Sequence, residues 1–422
     1  MLDRSKQPLI HQIENLQLPE ARRHRLDNGI LVLENRLGTQ EILKLEIIFR
    51  AGRPFEKEQL IGRATASMLR EGTLSRTASE IAETFDFYGG TFTIPANLDV
   101  TNITLYCLTR HFEKLLPIIS DLVTQPAFPE HELNAFIDRS VRRLKVDLSR
   151  NDIIAYRAIT ENIFGSDHPY GYNSTPKTYQ GLERHQLETH FQETYTAANC
   201  TILISGKTTD RTISLLNTYL GRQLPMGHRV KAQVPAINRP AEKLRIEHPD
   251  KVQSAIRIGR QLFNRNHADY PGMYVLNTIL GGYFGSRLMA NIREEKGYTY
   301  NIYSAIDPMV FDGYFYIGTE VGKEFTKETI SEIYSEIRLL QEEEVGAEEM
   351  EMVRNYLMGN LLTMLDGPFN VADVVRTIET DGLPADFFHT LTQTVSKITP
   401  AELKDLAQKY LKESDLWEVV VG

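Results

Sequence analysis

Residues 43–50, Leu-Lys-Leu-Glu-Ile-Ile-Phe-Arg, alternate apolar and polar side chains over their first half. That two-residue period is the signature of a strand with one face buried. Residues 30–36 read as a second strand. Residues 59–71 carry a helical pattern that stops at Gly72, and 75–88 a second one, capped by Ser75 or Thr77 and ended by Gly89-Gly90. Residues 91–95 and 102–109 then predict an antiparallel strand pair. Helices are expected at 111–124 and 130–150, a loop at 165–178, a helix at 184–195 and a returning strand at 200–206.

The stretch 225–243 holds three prolines and no period, which marks a linker. Beyond it the order restarts. A strand is predicted at 253–260, helices at 269–281 and 284–296 with Gly297 as the stop, strands at 298–306 and 312–320, and helices at 324–343 and 347–364. Tyr88-Gly89-Gly90-Thr91 and Lys296-Gly297-Tyr298-Thr299 occupy the same place in the two series. The chain therefore reads as an internal duplication of one unit. Adjacent strands mixed with helix pairs favour an α+β fold of two homologous α/β-layer domains, each an antiparallel-rich sheet packed with helices, over a doubly wound parallel sheet. The expected boundaries are 1–225, a linker over 226–243, and 244–422.

Composition narrows the function. At 422 residues the chain exceeds one ordinary core. A net charge of −9 without a basic block argues against a nucleic-acid surface. No run approaches a membrane span, and Met1–Gln17 lacks the apolar core of a secretory signal, so a cytoplasmic protein is expected. Cys107 and Cys200 lie in apolar strand-like runs and read as buried free thiols.

Several motifs invite chemistry. His185-Gln186-Leu187-Glu188-Thr189-His190 places two histidines five apart, about 140° around a helix, which is poor geometry for one metal ion. His168-Pro169-Tyr170-Gly171 reads as a hydrogen-bonded loop. Gly281-Gly282-Tyr283-Phe284-Gly285-Ser286 lacks the lysine of a phosphate loop and fits close packing or approach to a peptide backbone. Arg293, near a helix end, and Tyr300, in the strand predicted after it, could both donate hydrogen bonds to a carbonyl or an oxyanion.

Taken together these stretches resemble the inverzincin peptidases, the pitrilysin, insulinase and mitochondrial-processing-peptidase group, in half-length form. The resemblance runs through Leu26-Asp27-Asn28-Gly29, Ala51-Gly52-Arg53-Pro54-Phe55-Glu56, Met68-Leu69, Gly72-Thr73, the His168 loop, Leu280-Gly281-Gly282 and Arg293-Glu294-Glu295-Lys296-Gly297 with Tyr300. It implies two chains closing around a peptide chamber, with the Arg293 and Tyr300 positions holding substrate and its tetrahedral intermediate. It also implies a zinc helix reading H-x-x-E-H. Here those positions are Arg63, Ala66 and Ser67. The third ligand, a glutamate, belongs near residues 144–147, and no glutamate occurs between Leu133 and Thr160. The expectation is a chain with no metal of its own: the non-catalytic subunit of a heterodimeric zinc endopeptidase. A homologous subunit would carry the zinc, and Arg293 and Tyr300 would act on peptide in trans. The other reading is an inactive structural or peptide-binding homodimer.

Overall fold

The computed structural model describes residues 16–95, 97–237 and 239–422. Most of the Met1–Gln17 segment, and Asn238 of the linker, lie outside the described residues.

The first half runs β1 (Arg22–Arg25), β2 (Leu31–Asn35), β3 (Ile42–Phe49), α1 (Ile61–Met68), α2 (Ala78–Tyr88), β4 (Thr91–Thr93), β5 (Thr101–Leu108), α3 (Phe112–Thr124), α4 (Glu130–Asp147), α5 (Asn151–Phe164), α6 (Pro176–Gln180), α7 (Arg184–Thr194), β6 (Cys200–Gly206) and α8 (Asp210–Leu216). The second runs β7 (Lys243–Ile246), β8 (Gln253–Leu262), α9 (Tyr270–Asn277), β9 (Ile302–Pro308), β10 (Gly313–Gly322), α10 (Thr326–Glu342), α11 (Ala347–Thr363), α12 (Gly367–Thr380), α13 (Phe387–Lys397), α14 (Pro400–Tyr410) and β11 (Trp417–Val421). Between α9 and β9 the chain passes through two π-helical segments, Thr278–Gly282 and Met289–Glu295.

The duplication is visible in the sheets. The first has the order β1-β2-β6-β3-β5-β4 and the second β7-β11-β8-β10-β9. With β1 set aside, order and sense coincide. β2 pairs with β6 in parallel, as β7 does with β11, and every other pairing is antiparallel. Gly89 and Gly297 both adopt left-handed φ, 61° and 68°, just after equivalent helical segments. Only glycine takes that conformation without strain, so one stop signal is used twice. At α2, Thr77 rather than Ser75 is the cap, in a capping box with Glu80.

Alternation along β3 and β5 sends Leu43, Leu45, Ile47 and Phe49 with Ile103 and Leu105 into a core with α1, α2, α3 and α7. Ile256, Ile258, Phe315 and Ile317 do the same for the second sheet. The opposite faces are covered reciprocally. Ala155, Ile159, Ile163 and Phe164 of α5 pack on Tyr314, Trp417 and Val419 of the second sheet. Val371 and Val375 of α12 pack on Leu33, Ile48 and Leu203 of the first. Beside that contact Lys44 and Glu46 are buried on β3 and meet Asp373 and Arg376 of α12. Each half thus lends the other a helix.

Both cysteines are free and buried, and burial pushes the Cys107 thiol up to about 12. Among the described residues no helix is long and apolar enough to cross a membrane.

Candidate functional site

Two places hold the residues singled out above. The first is the start of α1. Leu60, at φ 73°, turns the chain into the helix. That strained conformation is fixed by a buried relay. The Leu60 N–H donates to Tyr172 Oη (3.3 Å), which donates to Glu56 Oε2 (2.8 Å), while Glu56 Oε1 accepts from the Gly62 N–H (2.8 Å). Burial raises the Glu56 pKa against these hydrogen bonds. Gly62 is required there, because a Cβ would stand 2.5 Å from Ala51 O.

Behind this turn Ala66 is buried, Ser67 Oγ donates to Arg63 O (2.8 Å), and Arg63 reaches solvent. α1 packs on α4 and α7. In α4, Leu144 is buried and Asp147 accepts from Arg143 Nε (3.0 Å). This donor set does not fit zinc. A guanidinium has no lone pair to give, and alanine has no donor at all. Among the described residues no three His, Cys, Asp or Glu side chains are gathered as a metal cluster.

The histidines fall into structural roles. His190 is buried with Nε2 3.1 Å from Ala51 O, and burial lowers its pKa to about 4. His185 is exposed beside Glu183. His168 stacks on Phe164 (5.1 Å between centroids), and its Nδ1 accepts from the Tyr170 N–H (3.0 Å).

The second place is the segment from Phe284 to Tyr300. Arg293 Nε donates to the Tyr300 carbonyl (3.1 Å), and the guanidinium lies 4.6 Å from the Phe284 ring centroid. The Tyr300 side chain stands 93% exposed. The strand predicted from residue 298 begins at 302, so Tyr300 lies in a loop. Tyr298 is held away by stacking on Phe325 (4.8 Å, 13°), and Thr299 Oγ1 donates to Glu320 O (2.7 Å). The structure brings Arg293 onto the main chain of Tyr300 and leaves the phenol free. Gly281 serves close packing, since a Cβ there would stand 2.4 Å from the Ser304 N of β9.

Sequence reasoning passed over Asp99. Its carboxylate accepts from the Tyr170 hydroxyl and, at 3.1 Å, from the Val310 N–H, tying the loop after β4 to the second half. Burial, with Asp381 opposing and Arg265 favouring ionisation, raises its pKa from 3.8 to about 6. A lone aspartate between loops carries no motif that could reveal this. Between those two values the folded chain keeps a proton that the unfolded chain has released, so Asp99 makes stability fall as pH rises through the window. Asp99→Asn is expected to flatten that fall, by ~2–3 kcal/mol at most. Urea midpoints of both proteins measured from acid to neutral pH check it, and parallel curves would refute it.

Residues 32–164 match the family model described as insulinase (peptidase family M16), and residues 181–357 the model described as the peptidase M16 inactive domain. A Bacillus subtilis protein named uncharacterized zinc protease YmxG is 24% identical over 350 residues, 82% of this chain and 84% of that one. A Helicobacter pylori protein named non-peptidase homolog YmxG is 21% identical over 393 residues, 90% of this chain and 88% of that one. Among solved structures, a peptidase M16 inactive domain from Pseudomonas fluorescens superimposes with a TM-score of 0.88 at 22% identity. That match covers 95% of this chain and 98% of the other.

Proposed function

We propose, from the premise that this chain belongs to the M16 (insulinase) peptidase family, that it is the non-catalytic subunit of a two-chain zinc endopeptidase. Arg293 and Tyr300 would be presented to a zinc site on a homologous partner. The observation that carries this reading is a contrast between the halves. The zinc-helix positions hold Arg63, Ala66 and Ser67, while Arg293 grips the loop that exposes Tyr300. One relative bears the name non-peptidase homolog, in keeping with a silent chain.

The chemistry of the division is simple. A metal held by the partner would supply the activated water and the polarisation of the peptide carbonyl. This chain would supply two donors at the developing oxyanion, a guanidinium held against its own loop and a phenol. The test is reconstitution. The purified chain alone should cut no peptide. Mixed with a half-length homologue from its native host that carries an intact H-x-x-E-H helix, it should give chelator-sensitive cleavage well above that of the homologue alone. Cleavage by the homologue that is indifferent to this chain would leave the structural homodimer as the better account.

A further inference from the structure

The turn before α1 encloses a cavity of about 340 Å³ lined by Ala51, Gly52, Arg63, Ser67, Asn97 and Leu98, with Arg53 and Glu56 at its wall. Its charges are unbalanced. Both Glu56 oxygens are taken by neutral donors, Gly62 N–H and Tyr172 hydroxyl. Arg53 spends one nitrogen on the carbonyls of Pro169 (3.1 Å) and Tyr172 (3.2 Å) and stacks on Tyr172 at 4.1 Å; Glu56 attracts it through space without a direct bond, which leaves Arg63 as the second, unanswered cation of the wall. Among the described residues the Arg63 guanidinium makes no hydrogen bond and no ion pair. The backbone donors nearby are committed, Gly52 N–H to Asp99 O and Arg53 N–H to Leu98 O.

A guanidinium presents a planar fork of N–H donors that matches a carboxylate with two parallel bonds. A cavity of a few hundred Å³ with mostly small walls takes a short end or one side chain, not a folded partner. From these features we infer that the position where relatives would hold a metal is here a carboxylate-binding site, with Arg63 as anchor and Arg53 reinforcing the field. The group it takes is the carboxylate of a peptide, either the free C-terminus or an Asp or Glu side chain. Product-like or acid-tailed peptides would be held at this end of the chain. This rests on the reading that the chain handles peptides, and it adds which peptides.

The test is direct binding to the isolated full chain at low salt. Three matched pools of randomised decapeptides without other acidic residues serve as probes: one with a free C-terminal carboxylate, one amidated, and one amidated with a single internal Glu. The chain should bind one or both carboxylate pools about 10-fold or more tighter than the amidated pool, the worth of hydrogen bonds to a charged group. The preferred pool identifies the source. Arg63→Met should erase the preference and leave the melting temperature unchanged, because among the described residues the Arg63 guanidinium has no hydrogen-bond or ion-pair partner to lose. Arg63→Lys should restore part of it. Added salt should weaken it. Equal binding of all three pools, absence of binding, or a preference that survives Arg63→Met overturns the inference. The reconstitution above reads cleavage in the two-chain mixture, so either idea can fail while the other stands.

Discussion

In the reconstituted two-chain enzyme, Arg293→Ala is expected to lower kcat about 100-fold, the usual effect of removing one oxyanion donor. The side chain has two jobs. Its Nε fixes the Tyr300 carbonyl at 3.1 Å, and in the proposed role its terminal nitrogens, of which Nη1 lies 3.6 Å from Glu294 Oε1, would turn to substrate. The alanine variant loses the cation and frees the loop that carries the phenol. Arg293→Lys should rescue little, because an ammonium cannot hold the carbonyl and reach substrate with the same planar fork. Tyr300→Phe keeps the loop and removes only the phenolic donor, so its loss should be smaller and fall in kcat rather than KM. Steady-state rates on one peptide across the three variants decide the matter. A rate within twofold of wild type for Arg293→Ala would remove the proposed role.

The largest expected effect on stability lies where α12 crosses the first sheet. Glu46, 1% exposed, lies 3.0 Å from Lys44 Nζ, accepts from Asn102 Nδ2 at 3.0 Å and is 2.5 Å from Arg376 Nη1. Asp373 closes the ring, 2.7 Å from Lys44 and 2.8 Å from Arg376. Burial opposes the Lys44 charge, yet Glu46 and Asp373 outweigh it and hold its pKa above the ordinary lysine value. Glu46→Ala would leave two cations sharing one half-exposed carboxylate. Breaking one side of a buried pair costs about 3–5 kcal/mol. A lowered urea midpoint should show it, with Glu46→Gln intermediate because the amide still accepts from Asn102 and Arg376. Replacing Lys44 and Glu46 together by leucine and methionine should cost far less than Glu46→Ala, since desolvation is relieved along with the attraction. Equal losses would mean that packing rather than charge fixes α12 there.

Much of this was legible from pattern. β3 and β5 alternate, α2 has its cap and its stopping glycines, and the second series repeats the first. α5 escaped notice. Its apolar residues, Ile153, Ile154, Ala155, Ala158, Ile159, Ile163 and Phe164, spread beyond one stripe, and the sheet they cover belongs to the other half. No local period encodes a destination that distant. α12 to α14 and β11 lie past the last predicted helix; β11 completes the second sheet, while α12 crosses to the first. The alternating stretch 298–306 predicts a strand that would include Tyr300. Stacking of Tyr298 on Phe325 overrides that local preference. In the site, Arg63, Ala66 and Ser67 can be read residue by residue at the positions where the resemblance expects ligands. Asp99 could not, because its burial is assembled from three separate loops.

The reciprocal loan of α5 and α12 sets a timetable for the nascent polypeptide. When residues up to Arg222 have left the ribosome, the second sheet that α5 will cover does not yet exist, and Leu33, Ile48 and Leu203 still await Val371 and Val375. Two apolar surfaces stay open until nearly the last stretch is synthesised. Neither sheet can therefore bury both of its faces until the opposite half has been made.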